Sequence, residues 1–239
     1  MRFCGSHFVQ NGNRDALKDI AVTQFLPSAP EDGFKVQALA LLAMTSFSRT
    51  EQEEGQAYLK SAIDLALWIG LNQKDFAVRS GESDATIEES WRRTWWDLFI
   101  VEGLIATFTG QMESSRLRTV KADVLLPGDC DPYNACSPLG NPRSYGEMQD
   151  RAFSDDDFQW SSFAYKIEAM HLLYSVGALG ADTFATTNSE VETLDQRLSN
   201  FRLSLPNLKK DALKTNGEVD EVMFGALMTA NCAEITLHR

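Results

Sequence analysis

The sequence predicts an all-α fold, a bundle of antiparallel helix pairs. Apolar residues recur at three-to-four spacing along most of the chain, glycine and proline signals separate these stretches, and no stretch alternates with the period of a β-strand. The chain has 239 residues, of which 44% are hydrophobic. A chain of this length can bury a large core without disulfides or a structural metal.

The chain divides into a weakly structured N-terminal segment, residues 1–33, and a helical domain, residues 34–239. The domain opens on FKVQALALLAMTSF, residues 34–47, which is apolar on almost every side. Such a helix is usually buried over most of its surface. We therefore expect the core to begin with this helix.

A second helix is predicted over residues 55–70, where apolar residues form one stripe. Thr50 and Glu53 have the spacing of a capping box, which would start this helix. Gly70 followed by Leu71 is typical of a Schellman stop. Because only a short link separates the first two helices, we expect them to pack antiparallel.

The third predicted helix, residues 87–108, would start at a second capping-box pair, Thr86 and Glu89, and stop at Gly110. A long irregular connection follows over residues 111–157, where prolines, glycines and asparagines recur. Connections of this length without regular structure are either functional or mobile.

Three further helices are predicted after this connection. An acidic run, Asp155–Asp157, would lie at the positive N-terminal end of the first of them. The last helical pattern reaches Arg239 without a stop signal, and the first core helix lies close to the start, so the chain is predicted to be truncated at both ends. These helices are predicted at 159–180, at 189–204 before Pro206, and from Glu218 to the end.

Three of the five tryptophans lie within EESWRRTWWDLF, residues 88–99, and on a helix they share one broad face. Such a stripe is usually part of a core, and the alternative is the edge of a ligand pocket. A surface that stacks nucleic-acid bases would need exposed aromatics among free basic residues, whereas these arginines have acidic partners. The candidate residues that line either a pocket or the core are Trp91, Trp95, Trp96 and Phe99.

The opposite face of this helix carries charged pairs four residues apart. We expect these pairs to lie in solvent and to contribute roughly a few tenths of a kcal/mol each. The pairs are Glu88–Arg92, Glu89–Arg93 and Arg93–Asp97.

No catalytic residue, cofactor-binding residue or metal ligand is predicted. The sequence has no G-x-S-x-G, P-loop or G-x-G-x-x-G motif. Glu168 and His171 form one E-x-x-H pair, whereas a di-iron bundle needs two such pairs and two further glutamates. Cys130 and Cys136 are the closest cysteines, but no C-x₂-C pair occurs, which disfavours a structural zinc site. We expect free thiols, and we expect His171 at the edge of an aromatic core.

The formal net charge is −12, from 34 acidic and 22 basic residues. Such a charge repels phosphate backbones, and the basic residues form no cluster beyond short pairs such as Lys209–Lys210. The sequence also lacks a run of 18 apolar residues. Neither specific DNA binding by this chain nor contact with a membrane is therefore expected.

Several segments, in order, resemble the fungal-specific transcription factor domain, the middle homology region of fungal zinc-cluster regulators. The resemblance is closest over 34–130 and looser over 158–239. The matching segments are KVQALALLAMTSFSRTEQEEGQAYLKSAIDLALWIGLN, then EESWRRTWWDLFIVEGLIATFTG, then ADVLLPGDCD, and finally NCAEITLHR.

The resemblance implies that residues 34–239 form a helical regulatory domain of a nuclear, non-enzymatic regulator of transcription. Arg92, Arg93, Trp95 and Trp96 match the family's motif and would have a structural role. In the family, a separate part with six cysteines and two zinc ions reads DNA. This chain lacks that cluster and therefore needs no zinc of its own. The implied partners are proteins of the transcription machinery, a full-length regulator, or a small-molecule effector.

Three functions are compatible with these features. The first is the regulatory domain of such a regulator, in a metabolic or secondary-metabolite pathway, acting through partner, intramolecular or small-molecule contacts. The second is a stand-alone helical interaction module that dampens a full-length regulator. The third is an all-α small-molecule-binding protein or enzyme with a pocket at Trp91, Trp95 and Phe99. A deep pocket with convergent titratable groups would favour the third function.

Overall fold

The computed structural model is all-α, as predicted, and it describes residues 2–5, 13–129, 141–153, 158–180, 188–214 and 216–239. Within these ranges there is no β-strand beyond a single bridge between Leu213 and Val219. The helices in chain order are α1 (Arg2–Gly5), α2 (Arg14–Ile20), α3 (Gly33–Ser48), α4 (Gln52–Ile69), α5 (Phe76–Ser80), α6 (Ala85–Thr109), α7 (Tyr145–Gln149), α8 (Ser162–Gly180), α9 (Asn188–Leu203) and α10 (Glu221–Leu237).

Helix α6 carries the centre of the core. Twelve of its 25 residues are buried, and it contacts α3 and α4 as well as α8. Helices α3 and α4 form the antiparallel pair that the short link predicts, and Phe47 near the end of α3 lies against Gly55 near the start of α4. The aromatic face of α6 is thus positioned between two groups of helices.

The two predicted threonine capping boxes are wrong. Helix α4 begins after Glu51, because Thr50 adopts a left-handed backbone conformation (φ 64°) that turns the chain out of α3. Helix α6 begins after Asp84, whose carboxylate accepts a hydrogen bond from the backbone N–H of Thr86 at 2.7 Å. A carboxylate is a good N-cap and also interacts favourably with the helix dipole, so this aspartate takes the place predicted for the threonine.

The two predicted glycine stops are confirmed. Gly70 ends α4 with φ 79°, and Gly110 ends α6 with φ 66°. In both cases the next residue donates its N–H at 2.8 Å to the carbonyl five residues earlier, which is the Schellman bond. Only glycine adopts this backbone conformation without strain, so the stops were readable from the sequence.

Helices α8 and α10 pack along each other and run in the same direction. Ser162 at the start of α8 donates to the carboxylate of Asp220 at the start of α10, at 2.6 Å, and one turn further along Lys166 lies beside Gly225. Helix α9 connects them and runs antiparallel to α10, since residues later in α9 contact residues earlier in α10. The second helix group is therefore an up-down-up arrangement.

The predicted irregular connection, 111–157, contains only short helical turns within its described residues. These are the 3₁₀ turn Met112–Ser114, helix α7 and the 3₁₀ turn Asp150–Phe153. Residues 115–129, called here the wall segment, have no regular secondary structure and run past α6. The acidic run Asp155–Asp157 and the cysteines at 130 and 136 lie outside the described residues.

The N-terminal segment 1–33, for which the sequence predicts weak structure, contains α1, α2 and a π-helical turn, Ala21–Phe25. No residue of α2 or of the π-helical turn is buried. Leu17, Ile20, Ala21 and Phe25 do recur at helical spacing, and all four line one pocket.

Candidate functional site

The tryptophan stretch divides between the core and a cavity. Trp91, Trp95, Trp96 and Phe99 are all at most 4% exposed. Trp91 packs edge-on against Phe34, with ring centres 4.7 Å apart, and is part of the core. Trp95, Trp96 and Phe99 line a cavity of about 470 Å³ between α6, α8, α7 and the wall segment. All four side chains belong to the hydrophobic core, and the last three also line a cavity.

This cavity, called here the aromatic cavity, is lined by five residues that carry rings and by ten others. Trp96, Phe99 and His171 pack together, with the Phe99 and His171 ring centres 4.6 Å apart. Tyr145 stacks on His171 with ring centres 4.2 Å apart and planes 17° from parallel. The residues that define the aromatic cavity are Trp95, Trp96, Phe99, Arg118, Tyr145 and His171.

The aromatic cavity is lined by residues with unpartnered buried polar atoms. Trp95 Nε1, Arg118 Nε and His171 Nε2 have no hydrogen-bond partner within the described part of the chain. Trp95 is only 1% exposed, so water in bulk solvent does not reach its indole. Buried polar atoms in native proteins are nearly always hydrogen-bonded. All three atoms are inaccessible even to water, so a molecule in the cavity would reach them only after the lining side chains move.

His171 is neutral under ordinary conditions. Burial, together with the charge of Arg197, lowers its pKa to about 4. A neutral imidazole offers one donor and one acceptor. His171 thus lies among rings, as expected from the sequence, and its free ring nitrogen adds a neutral polar group to the cavity.

A second cavity, of about 790 Å³, lies on the other side of Tyr145, between α7, α8 and α9. It is lined by Arg151 and Glu168, which form an ion pair of 2.9 Å. Arg151 Nε and Glu168 Oε2 are also buried without a partner among the residues that the structure covers. The charges of Arg151 and Glu168 offset each other, and Arg197, which also lines this cavity, adds a further positive charge.

The E-x-x-H pair does not form a common site. His171 lines the aromatic cavity, whereas Glu168 lines the second cavity and pairs with Arg151. In the described ranges no group of three or more histidine, cysteine, aspartate and glutamate residues is placed to hold a metal ion. The described cysteines, Cys4 and Cys232, are free. None of the described helices is both long enough and apolar enough to cross a membrane.

Glu102 on α6 fixes one end of the wall segment. The side chain is buried and accepts three hydrogen bonds of 2.7–2.8 Å, from the hydroxyl of Ser115 and the backbone N–H groups of Arg116 and Leu117. Hydrogen bonds to an ionised acceptor are stronger than neutral ones. The contact therefore holds the next residue, Arg118, at the cavity.

Glu89 fixes the other end of the wall segment. Its carboxylate accepts hydrogen bonds of 3.0 Å from Arg92 Nε, Arg93 Nε and the backbone N–H of Gly128. The side chains of Glu89 and Arg92 are 3% and 5% exposed. The expectation that these charged pairs lie in solvent is wrong for Glu89 and Arg92, which are buried. The side chains of Glu88 and Arg93 are 23% and 33% exposed, and Asp97 is exposed.

The sequence indicates the burial of one of these two carboxylates. Glu102 lies three residues after Phe99 and seven after Trp95, so it falls on the predicted aromatic face. A carboxylate within an apolar stripe predicts a buried acceptor that needs donors. Glu89 gives no such signal, because an i, i+4 pair with Arg93 is also typical of an exposed helix face.

The charged residues that line the aromatic cavity have a positive sum, whereas the chain as a whole is acidic. Lys74 and Arg118 both line it, as does the single carboxylate of Asp123. Asp123 already accepts a hydrogen bond of 2.7 Å from the backbone N–H of Lys74. In a chain with a net charge of −12, two cations and one engaged carboxylate form a local positive site.

The chain belongs to the family described as the fungal-specific transcription factor domain, which it matches over residues 11–135. The role of this family is the regulation of transcription, not catalysis. The chain is also 33% identical, over 241 aligned residues, to the C6 finger domain transcription factor iacK of Pestalotiopsis fici. That alignment covers all of this chain and 36% of the relative, so the chain spans about a third of the relative's length. No solved structure matches the chain.

Proposed function

We propose that this chain is the regulatory, non-DNA-contacting domain of a nuclear fungal transcription regulator, and that a small molecule bound in the aromatic cavity sets its output. The observation that carries this proposal is the aromatic cavity itself, which Trp95, Trp96 and Phe99 line together with the guanidinium of Arg118. A cavity of about 470 Å³ with aromatic walls and few polar groups is typical of small-molecule sites. The regulator would serve a metabolic or secondary-metabolite pathway, whose products are molecules of this size.

The aromatic cavity is also well placed to change the shape of the domain. It lies where α6, α8 and the wall segment meet, and α6 in turn contacts α3 and α4. A ligand that contacts both α6 and α8 at this junction would stabilise the present arrangement of the two helix groups over others. Such a shift is how a ligand alters the contacts of a regulatory domain with its partners.

A second candidate function is a helical interaction module for proteins of the transcription machinery or for a full-length regulator. The observation that favours it is the exposure of Phe224, Met228 and Ile235 on α10. Their spacing of four and seven residues places them on one face, which is typical of a helix that binds a partner through apolar side chains. The two functions are compatible, because a ligand in the cavity could control this contact.

A thermal-unfolding screen of the purified chain against a library of small neutral and charged aromatic molecules tests the proposal. A ligand at 100 times its dissociation constant adds about 2.7 kcal/mol to the free energy of unfolding. The same ligand should change reporter expression when the chain is tethered to a heterologous DNA-binding domain. The proposal fails if no member of the library raises the midpoint temperature of thermal unfolding.

A variant pair ties the effect to the cavity. Ala122 is exposed and lines the aromatic cavity, so Ala122→Phe narrows its opening and should abolish the rise in midpoint. Ala57 is also exposed and lies on α4, away from the cavity, so Ala57→Phe should keep the rise. A rise that survives in Ala122→Phe would place the ligand elsewhere and contradict the proposal.

A further inference from the structure

We infer that the effector of the aromatic cavity is a small organic acid, with a planar apolar body held among the rings and an anionic group bound by Arg118. This inference rests on the proposed function and adds the chemical class of the ligand. Neither the family nor the relative's name specifies a ligand for this cavity.

The walls of the cavity define the body of the ligand. Trp96 and Phe99 meet edge-on, with ring centres 5.6 Å apart, and Tyr145 stacks on His171. Rings prefer offset-stacked or edge-to-face partners, so a flat unsaturated body gains more from these walls than a flexible chain does. A volume of about 470 Å³ suits a molecule of one or two rings with a short side group.

The polar groups of the cavity define the charge of the ligand. The Arg118 side chain lines it, and no ion pair joins Arg118 to an acidic side chain in the described ranges. A carboxylate is the acceptor that a guanidinium binds best, so this cation favours an anionic group on the ligand.

Of the other charged groups at the cavity, Asp123 opposes an anion and Lys74 favours one, so the two offset each other. His171 is neutral at pH 7 and offers a donor or an acceptor. The carboxylate of Asp123 is engaged by the backbone N–H of Lys74, and the Lys74 ammonium adds a positive charge at the same cavity. A neutral or cationic ligand would leave the Arg118 guanidinium without a counter-charge.

Matched acid and amide probes test the ligand class by isothermal titration of the full chain. The probes are 2-naphthoate with 2-naphthamide and trans-cinnamate with cinnamamide, which differ in charge and little in shape. We expect the acids to bind about 10-fold to 100-fold more tightly than their amides, as for a hydrogen bond to a charged group. Raising the salt concentration should weaken the acids more than the amides.

Substitution of the arginine assigns the effect to one residue. Arg118→Met should remove the preference for acids, whereas Arg118→Lys should keep part of it. The control is Arg116→Met, because the Arg116 guanidinium pairs with Asp64 at 2.6 Å, outside the aromatic cavity. Thermal unfolding of each variant without ligand shows that it is folded.

The outcomes separate this inference from the proposed function. A preference for acids that Arg118→Met abolishes and Arg116→Met keeps supports both. Amides that bind as tightly as the acids, or a preference that survives Arg118→Met, would overturn the ligand class and leave a small-molecule effector in place. If neither acids nor amides bind and the broader library also gives no ligand, both the ligand class and the proposed function fall.

Discussion

Two sets of buried polar groups lie on and around α6, and they differ in how completely they are hydrogen-bonded. The framework carboxylates, Glu89 and Glu102, each accept three hydrogen bonds of 3.0 Å or less. At the aromatic cavity, Trp95 Nε1, Arg118 Nε and His171 Nε2 have no partner among the described residues. The framework carboxylates are therefore fully hydrogen-bonded within the chain, whereas these three atoms of the cavity residues are not.

This difference separates folding from binding. The framework carboxylates attach both ends of the wall segment to α6, so the cavity keeps its shape without a ligand. The cavity leaves its own polar atoms available, which costs stability unless a ligand or ordered water satisfies them. Pre-formed sites bind more tightly than flexible ones because less ordering is needed on binding. Substitutions in the framework should therefore change stability, and substitutions in the cavity should change binding.

The largest effect is expected when a framework carboxylate is removed. Glu89→Ala leaves the guanidinium of Arg92 buried at 4% exposure, with the more distant Glu88 as its remaining acidic partner. Breaking a buried ion pair on one side usually lowers the free energy of unfolding by about 3–5 kcal/mol. Urea denaturation of the variant measures this loss.

The matched control is the neighbouring acid. The side chain of Glu88 is 23% exposed and lies 3.8 Å from Arg92, so Glu88→Ala should lower the free energy of unfolding by about 1 kcal/mol or less. Equal losses in the two variants would show that Glu89 is no more than a surface partner, as the sequence alone predicts.

The second prediction concerns the pH dependence that His171 gives to stability. Its pKa is about 4 when folded and 6.5 when exposed, so below pH 6.5 the unfolded chain binds a proton that the folded chain does not. Stability from this residue should therefore be lost as the pH falls from 6.5 to 4, with little further loss below that. The full loss amounts to about 3 kcal/mol.

His171→Phe keeps a ring against Tyr145 and removes the titration. Other groups also titrate in this range, among them Glu168, whose pKa is raised by burial and which contributes with the opposite sign. They are present in both proteins, so the difference in unfolding free energy between wild type and variant isolates His171. A difference that stays constant from pH 7 to pH 4 would contradict the neutral, buried assignment.

Local features of the fold were predictable because their causes are local. Gly70 and Gly110 end their helices with the left-handed conformation that glycine favours, so the helices were predicted to within a few residues at these ends. The threonine caps failed for an equally physical reason. Thr50 is needed for the turn itself, and Asp84 is a better acceptor one residue before α6.

The candidate site was predictable only in part, because it depends on distant segments. The aromatic face of α6 follows from the spacing of Trp95 and Phe99 alone. Arg118, Tyr145 and His171 reach the same cavity from three other segments, and nothing local indicates that they meet. The burial of Glu89 likewise depends on the backbone of a residue 39 positions away. Irregular segments have no period from which such pairing could be predicted.

The smallest effect distinguishes two adjacent tryptophans. Both are buried, but Trp96 donates its N–H to the carbonyl of Leu125 at 3.1 Å, whereas the Trp95 N–H has no partner in the described chain. Trp96→Phe therefore leaves a carbonyl unsatisfied, and Trp95→Phe removes a donor that was already unsatisfied. The volume lost is the same in both, so the difference reports the hydrogen bond. Trp96→Phe should lower the free energy of unfolding by about 1 kcal/mol more than Trp95→Phe, measured by denaturation without ligand.

With a bound acid present the order should reverse, because the Trp95 N–H then has an acceptor to lose. An unchanged order would mean that the cavity ligand does not use this donor, and that water satisfies it instead.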